Sequence, residues 1–178
     1  MRASSHPAGH ASRFVFAALL LFVGAGTAPS QQPDPLADSL ARRVQAFYDW
    51  YVPIARARKD SPALFAALDQ RPSSLSRRLV AAFRDDSIAW AGAPGEPSRL
   101  DFDPFTHAQD PCARYVVGTV KHAGRSAQAA IHSVCRGRRS THPVLTAELS
   151  LELGKWVFAN FTYGDGSDLL TIMRMLAR

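Results

Sequence analysis

Cysteine is scarce: the 178-residue chain has two, Cys112 and Cys135. Two thiols alone do not make a zinc site, and without a C-x-x-C pair there is no dithiol redox motif. Acidic residues are missing from the first thirty positions, where Arg2 and Arg13 carry the charge. Long apolar runs are missing too, apart from FVFAALLLFV, whose ten residues are about half of the ~20 that span a bilayer. A basic stripe interleaved with aromatics is not found, which argues against nucleic-acid binding. There is no internal repeat and no low-complexity tract.

What is present begins with a secretory signal. A charged start, a short apolar core and the small-residue stretch GAGTAPS predict a signal peptide over residues 1–30. Cleavage is expected after Ser30, with Ala28 at −3; a retained anchor is the alternative. No cysteine near the cut offers a lipid attachment point. The destination is therefore secreted or periplasmic. QQPDP over residues 31–35 is a linker, and residues 36–178 make one domain. The formal charge is +6; without Arg2 and Arg13 it is +4, from 19 basic and 15 acidic residues. That is mild, and no stable membrane span remains after cleavage.

In an oxidising compartment an even cysteine pair is bridged more often than free. CARYVVGTVK and SAQAAIHSVC read as two strands around HAGR. With Ala123-Gly124 as the turn, Cys112 falls opposite Cys135, although a bulge would shift that register by one. A bridge there stabilises by roughly 3 kcal/mol in the chain-entropy model.

Helical periodicity opens the domain. Leu36, Leu40, Val44, Phe47, Tyr51 and Ile54 recur at three- and four-residue spacings, with Asp49 opposite. Pro53 is expected to kink or end this helix. Ser61 caps a second helix, with Pro62 at its first position. Arg71-Pro72-Ser73 opens a third, with Leu75, Leu79, Val80 and Phe83 on its apolar face. AGAPGEPSR is a loop. From Cys112 the period becomes two. VLTAELSLELG places leucines on one face, Gly154-Lys155 is a turn, and WVFANFTY is apolar on both faces, as a central strand would be. DLLTIMRMLAR makes a short last helix. The order predicts an α+β fold: three N-terminal helices on a curved antiparallel sheet of about four strands, shaped as a cone.

Three motifs carry a resemblance: FYDWY, DFDPFTHAQD and KWVFANFTYGDGSDLL. The chain resembles a bacterial domain-of-unknown-function family within the nuclear transport factor 2-like superfamily. The resemblance implies the cone, often an envelope location, and no settled activity; members of the superfamily include isomerases, dehydratases and domains that only bind.

An isomerase of this shape needs a general base and an oxyanion donor in an apolar pocket. Tyr51, Tyr115, Trp156 and Tyr163 are the candidate pocket residues, but no acid is evident beside the tyrosines. His122, His132 and His142 recur every ten residues, yet His122 and His132 lie about 30 Å apart at ~3.3 Å per strand residue and cannot share an ion. His107 with Asp101, Asp103 and Asp110 is a better metal candidate, but it lacks the glycine and terminal glutamate of a calcium loop. The favoured reading is architectural: Asp101, Asp103, Gln109 and Asp110 accept from backbone N–H groups, and Pro104 sets the turn. Arg136, Arg138 and Arg139 form a solvated basic hairpin loop. The chain is thus read as a binding module without cofactor, metal or catalysis. Its partner is an unknown small molecule or an envelope protein, as for an immunity factor, and homodimerisation through the sheet is a further option. The alternative is a small-molecule isomerase or hydrolase with a carboxylate base.

Overall fold

The computed structural model describes residues 33–57, 62–91 and 100–177. The signal segment, the expected Ser61 cap and the proline-glycine stretch after Ala91 lie outside the described residues.

Helix α1 runs Pro35–Ala57. Its stripe packs as the spacing demands: Leu40, Val44, Phe47 and Tyr51 are buried, joined by Tyr48 and Val52, while Leu36 is exposed. Asp34 caps it, Oδ1 accepting from the N–H of Ala37 at 3.0 Å. Pro53 does not end the helix, which continues to Ala57. Pro53 and Asp49 are both exposed, so the carbonyl that Pro53 deprives of its donor lies on the wet side.

Helix α2 spans Leu64–Gln70 and has no side-chain cap. The third helix starts later than expected. Pro72–Ser74 is a single 3-10 turn, and α3 is Arg77–Ala91. Ser76 decides this start: its Oγ accepts from the N–H of Leu79 at 3.1 Å, and its own N–H donates to Phe158 O at 2.8 Å. A serine that caps a helix and joins a strand at once fixes both.

Five strands follow, β1 (Arg114–Ala123), β2 (Ser126–Cys135), β3 (Arg138–Arg139), β4 (Leu145–Glu152) and β5 (Lys155–Tyr163), then α4 (Leu169–Leu176). The sheet is antiparallel in the order β1-β2-β4-β5, with the two-residue β3 paired to the end of β2. The protein is therefore α+β, with three N-terminal helices and one C-terminal helix around this sheet. Asp168 caps α4, its carboxylate accepting from the N–H of Thr171.

Strand β5 is an edge strand, not the central one its double apolar character suggested. Its neighbours explain the composition: Leu75 bridges to Phe158, and α3 and α4 pack on it. An edge covered by its own chain needs apolar residues on more than one side.

Two turns also differ. Ala123 pairs with Ser126, making the turn Gly124-Arg125, and Glu152 pairs with Lys155, making the other Leu153-Gly154. A bulge between Val117 and Val120 shifts the β1–β2 register once more. The Cys112–Cys135 disulfide is present, with Cα atoms 5.0 Å apart. The two cysteines are not a cross-strand pair of the ladder, because Cys112 precedes β1 rather than lying within it. Among the described residues no helix is long and apolar enough to cross a membrane.

Candidate functional site

The segment from Leu100 to Asp110 folds around one carboxylate. Asp103 Oδ1 accepts from the N–H of Phe105 at 3.0 Å, the N–H of Thr106 at 3.0 Å and the Thr106 hydroxyl at 2.9 Å. Its other oxygen, Oδ2, accepts from the Tyr51 hydroxyl. The Asp103 carbonyl accepts from the N–H of His107 at 2.8 Å, and its N–H donates to Ala108 O at 3.0 Å. Pro104 follows at the bend that an Asp-Pro pair favours.

Three further tyrosines close on the same segment. Tyr48 donates to Phe105 O at 2.9 Å, and Tyr163 donates to Pro104 O at 3.1 Å. Tyr115 stacks on Tyr48, and its hydroxyl accepts from the N–H of Cys112 at 3.3 Å. Phe105 is the centre of the packing, with its ring within 5.7 Å of those of Phe47, Tyr51, Phe83 and Phe161. The structure thus brings Tyr51, Tyr115 and Tyr163 together around Asp103. Trp156 stays apart: it is half-buried and sits opposite Leu151, near the other end of β5.

Electrostatics follow from this enclosure. Burial pushes the Asp103 carboxyl above the usual range, opposed by the bonds from Tyr51, Thr106 and Phe105. Burial and the nearby Asp103 charge also push Tyr48 and Tyr163 well up, and burial raises Tyr115. Asp103 keeps some solvent contact as a residue, but its carboxylate turns inward to Tyr51, which is 0% exposed. An acid bonded to a buried tyrosine does exist here, the pairing that the sequence did not reveal. It is committed to holding a turn.

Asp101, Gln109 and Asp110 are exposed. His107 is also exposed and stacks on Tyr163, with ring centroids 4.3 Å apart. Among the described residues no group of three His, Cys, Asp or Glu side chains could hold a metal ion. The other histidines are dispersed: His122 pairs with Asp34 at 2.9 Å, His132 Nδ1 bonds to Ser140 O at 2.9 Å, and His142 is exposed.

Two residues outside the sequence-derived site matter to its construction. Gln45 Nε2 donates to Tyr115 O at 3.0 Å, and its Oε1 accepts from the N–H of Val117 at 2.9 Å. It thereby pairs α1 with the free edge of β1 as a strand would. Thr106 supplies the second and third donors to Asp103. Thr106 lies inside the DFDPFTHAQD motif, whereas Gln45 belongs to none; only its place beside an apolar stripe hints at a role.

Open features lie elsewhere. A groove of about 600 Å³ runs between the start of α3 and the β4–β5 hairpin. Leu75, Val80 and Val157 line its floor, and Arg77, Arg84, Lys155 and the acidic Glu152 its rim. Leu153 stands at its lip, 88% exposed and with φ +47°. A smaller cavity of about 280 Å³ lies between α3 and α4, lined by Arg78, Asp85, Leu170, Met173 and Arg174.

No family model matches the chain, and none of the curated proteins does. Among solved structures it is similar to a protein of unknown function from Bacteroides thetaiotaomicron VPI-5482, at 17% sequence identity and a TM-score of 0.45. That match covers 71% of this chain and 91% of the other. A likeness of this degree assigns neither family nor function.

Proposed function

We infer that the protein is a secreted or periplasmic binding module of the nuclear transport factor 2-like cone type, acting without catalysis. Its ligand is an amphipathic anion, either a small molecule or an acidic, apolar segment of an envelope partner. An immunity-type protein is one specific form of that partner relationship. One observation carries the reading: the basic-rimmed apolar groove is open, while the Asp103–Tyr51 pair is sealed. The groove's volume lies within the usual range for ligand sites, and three cations against the single carboxylate of Glu152 at its rim suit a negative head over an apolar body. The alternative, an isomerase or hydrolase with a carboxylate base, has its own support in the Asp103–Tyr51 pair. A base must reach substrate, and here both partners spend their bonds on the fold.

The test is a fluorescence titration of the mature protein with anilinonaphthalene sulfonate, an anionic aromatic probe. Saturable binding is expected, weakened about tenfold in Arg84→Glu, which reverses a rim charge. Tyr51→Phe should bind as the parent does. Binding indifferent to Arg84→Glu would overturn the reading, as would loss of binding in a folded Tyr51→Phe variant.

A further inference from the structure

The β2–β3 hairpin carries arginines that need not be mere solvated charge. Register places Arg114, Val134 and Arg139 in one row across β1, β2 and β3, and His132 opposite Val116 in the next row on the same face. That face is opposite the one where Tyr115 packs against α1. Within it the bulge between Val117 and Val120 interrupts the ladder at Gly118.

Gly118 marks a convergence. A Cβ at that position would lie 2.9 Å from His132 Nε2 and 3.2 Å from an Arg139 terminal nitrogen. Two polar side chains from different strands therefore come together over a residue that has no side chain. His132 Nδ1 is tied to Ser140 O, so the ring's orientation is set and Nε2 is the nitrogen that faces Gly118. The side chains of Arg114 and Arg139 make no ion pair or hydrogen bond among the described residues. Of the two carboxylates on this face of β4, Glu148 and Glu152, the nearer is Glu148, which sits opposite Gln128 and accepts from the Thr162 hydroxyl at 2.6 Å. Four residues along β2 separate Gln128 from His132, roughly 13 Å.

The geometry points to a site for hydrogen phosphate at Arg114, His132 and Arg139, over the Gly118 bulge. Arginine provides paired donors for the oxyanion. In the tautomer with Nδ1–H donating to Ser140 O, Nε2 carries a lone pair, which a P–OH group satisfies as a donor. Sulfate and a phosphodiester have no such proton and meet that lone pair with another. The site thus selects a protonated phosphate over other anions. It lies at the far end of the sheet from the β4–β5 groove and does not depend on it.

The experiment is a titration of the mature chain with inorganic phosphate at neutral pH and constant ionic strength. The Gly118 amide and His132 ring resonances report on it. Saturable shifts are expected, with sulfate producing weaker binding. Arg139→Gln and Arg114→Gln should each weaken phosphate binding about tenfold. Gly118→Ala should do likewise, because its methyl displaces the ring and the guanidinium. Arg136→Gln and Arg138→Gln, nearby but off this row, should stay within about twofold at that ionic strength. The proposal is overturned if sulfate binds as well as phosphate, or if all four arginine variants weaken binding equally. It is also overturned if vesicles of phosphatidylglycerol, a diester, bind where phosphate does not.

Discussion

Asp103 holds four donors with two oxygens, and its truncation to alanine takes that shared acceptor from all of them. Asp103→Ala should lower unfolding free energy by about 3 kcal/mol or more, since each buried unpaired group costs roughly 1–3 kcal/mol. Asp110→Ala, at an exposed position, should stay within ~0.5 kcal/mol. Urea midpoints of the two variants check the contrast, and a chelator should leave the parent unchanged. The tyrosines give a pH dependence with a definite sign. Tyr48, Tyr115 and Tyr163 all have raised values in the folded state. The unfolded chain gives up its phenolic protons near the ordinary value of about 10, while the native hydroxyls keep theirs. Stability contributed by these groups is complete below that value and declines as pH rises through it. Tyrosinate absorbance should therefore appear together with loss of far-ultraviolet circular dichroism, not before it.

At the scale of elements, the Leu153-Gly154 turn has both φ angles positive, at +47° and +76°. That geometry favours Asn-Gly, and leucine is strained in it. Leu153→Asn should raise stability by about 1 kcal/mol, read as a higher urea midpoint. If leucine is kept there for binding at the groove, the same variant should weaken the probe. Periodicity made most elements legible: α1, the long strands and α4 announce themselves through spacing. Helix starts were less legible. The cap at Ser76 competes with the nearer Pro72, and the competition is settled by Phe158, a residue 82 positions away in the chain. Strand order was illegible for the same reason. WVFANFTY is apolar on both sides, but composition does not tell whether strands or helices cover it. The site was half visible: Asp103-Pro104 reads as a turn locally, yet Tyr51, Tyr48 and Tyr163 reach it from 52, 57 and 59 residues away.

Within the described domain, distant elements are tied together through that one segment. Helix α1, the end of β5 and, through the disulfide, the end of β2 all meet residues 103–115. The bridge from Cys112 to Cys135 fixes the far end of the β1–β2 hairpin, while Gln45 occupies the exposed hydrogen-bonding edge of β1. A homodimer through that stretch of edge would first have to displace Gln45.

The same connectivity governs the order in which the chain can fold. Synthesis delivers the FYDWY helix first, and its aromatic face has no local partner. Asp103 arrives 52 residues after Tyr51, Phe105 57 after Tyr48, and Val117 72 after Gln45. At ~5–20 residues per second, that face waits roughly 3–15 s before its partners exist. An apolar helix exposed for so long is a substrate for holding chaperones, and the helix that organises the finished domain is its most vulnerable part during biogenesis.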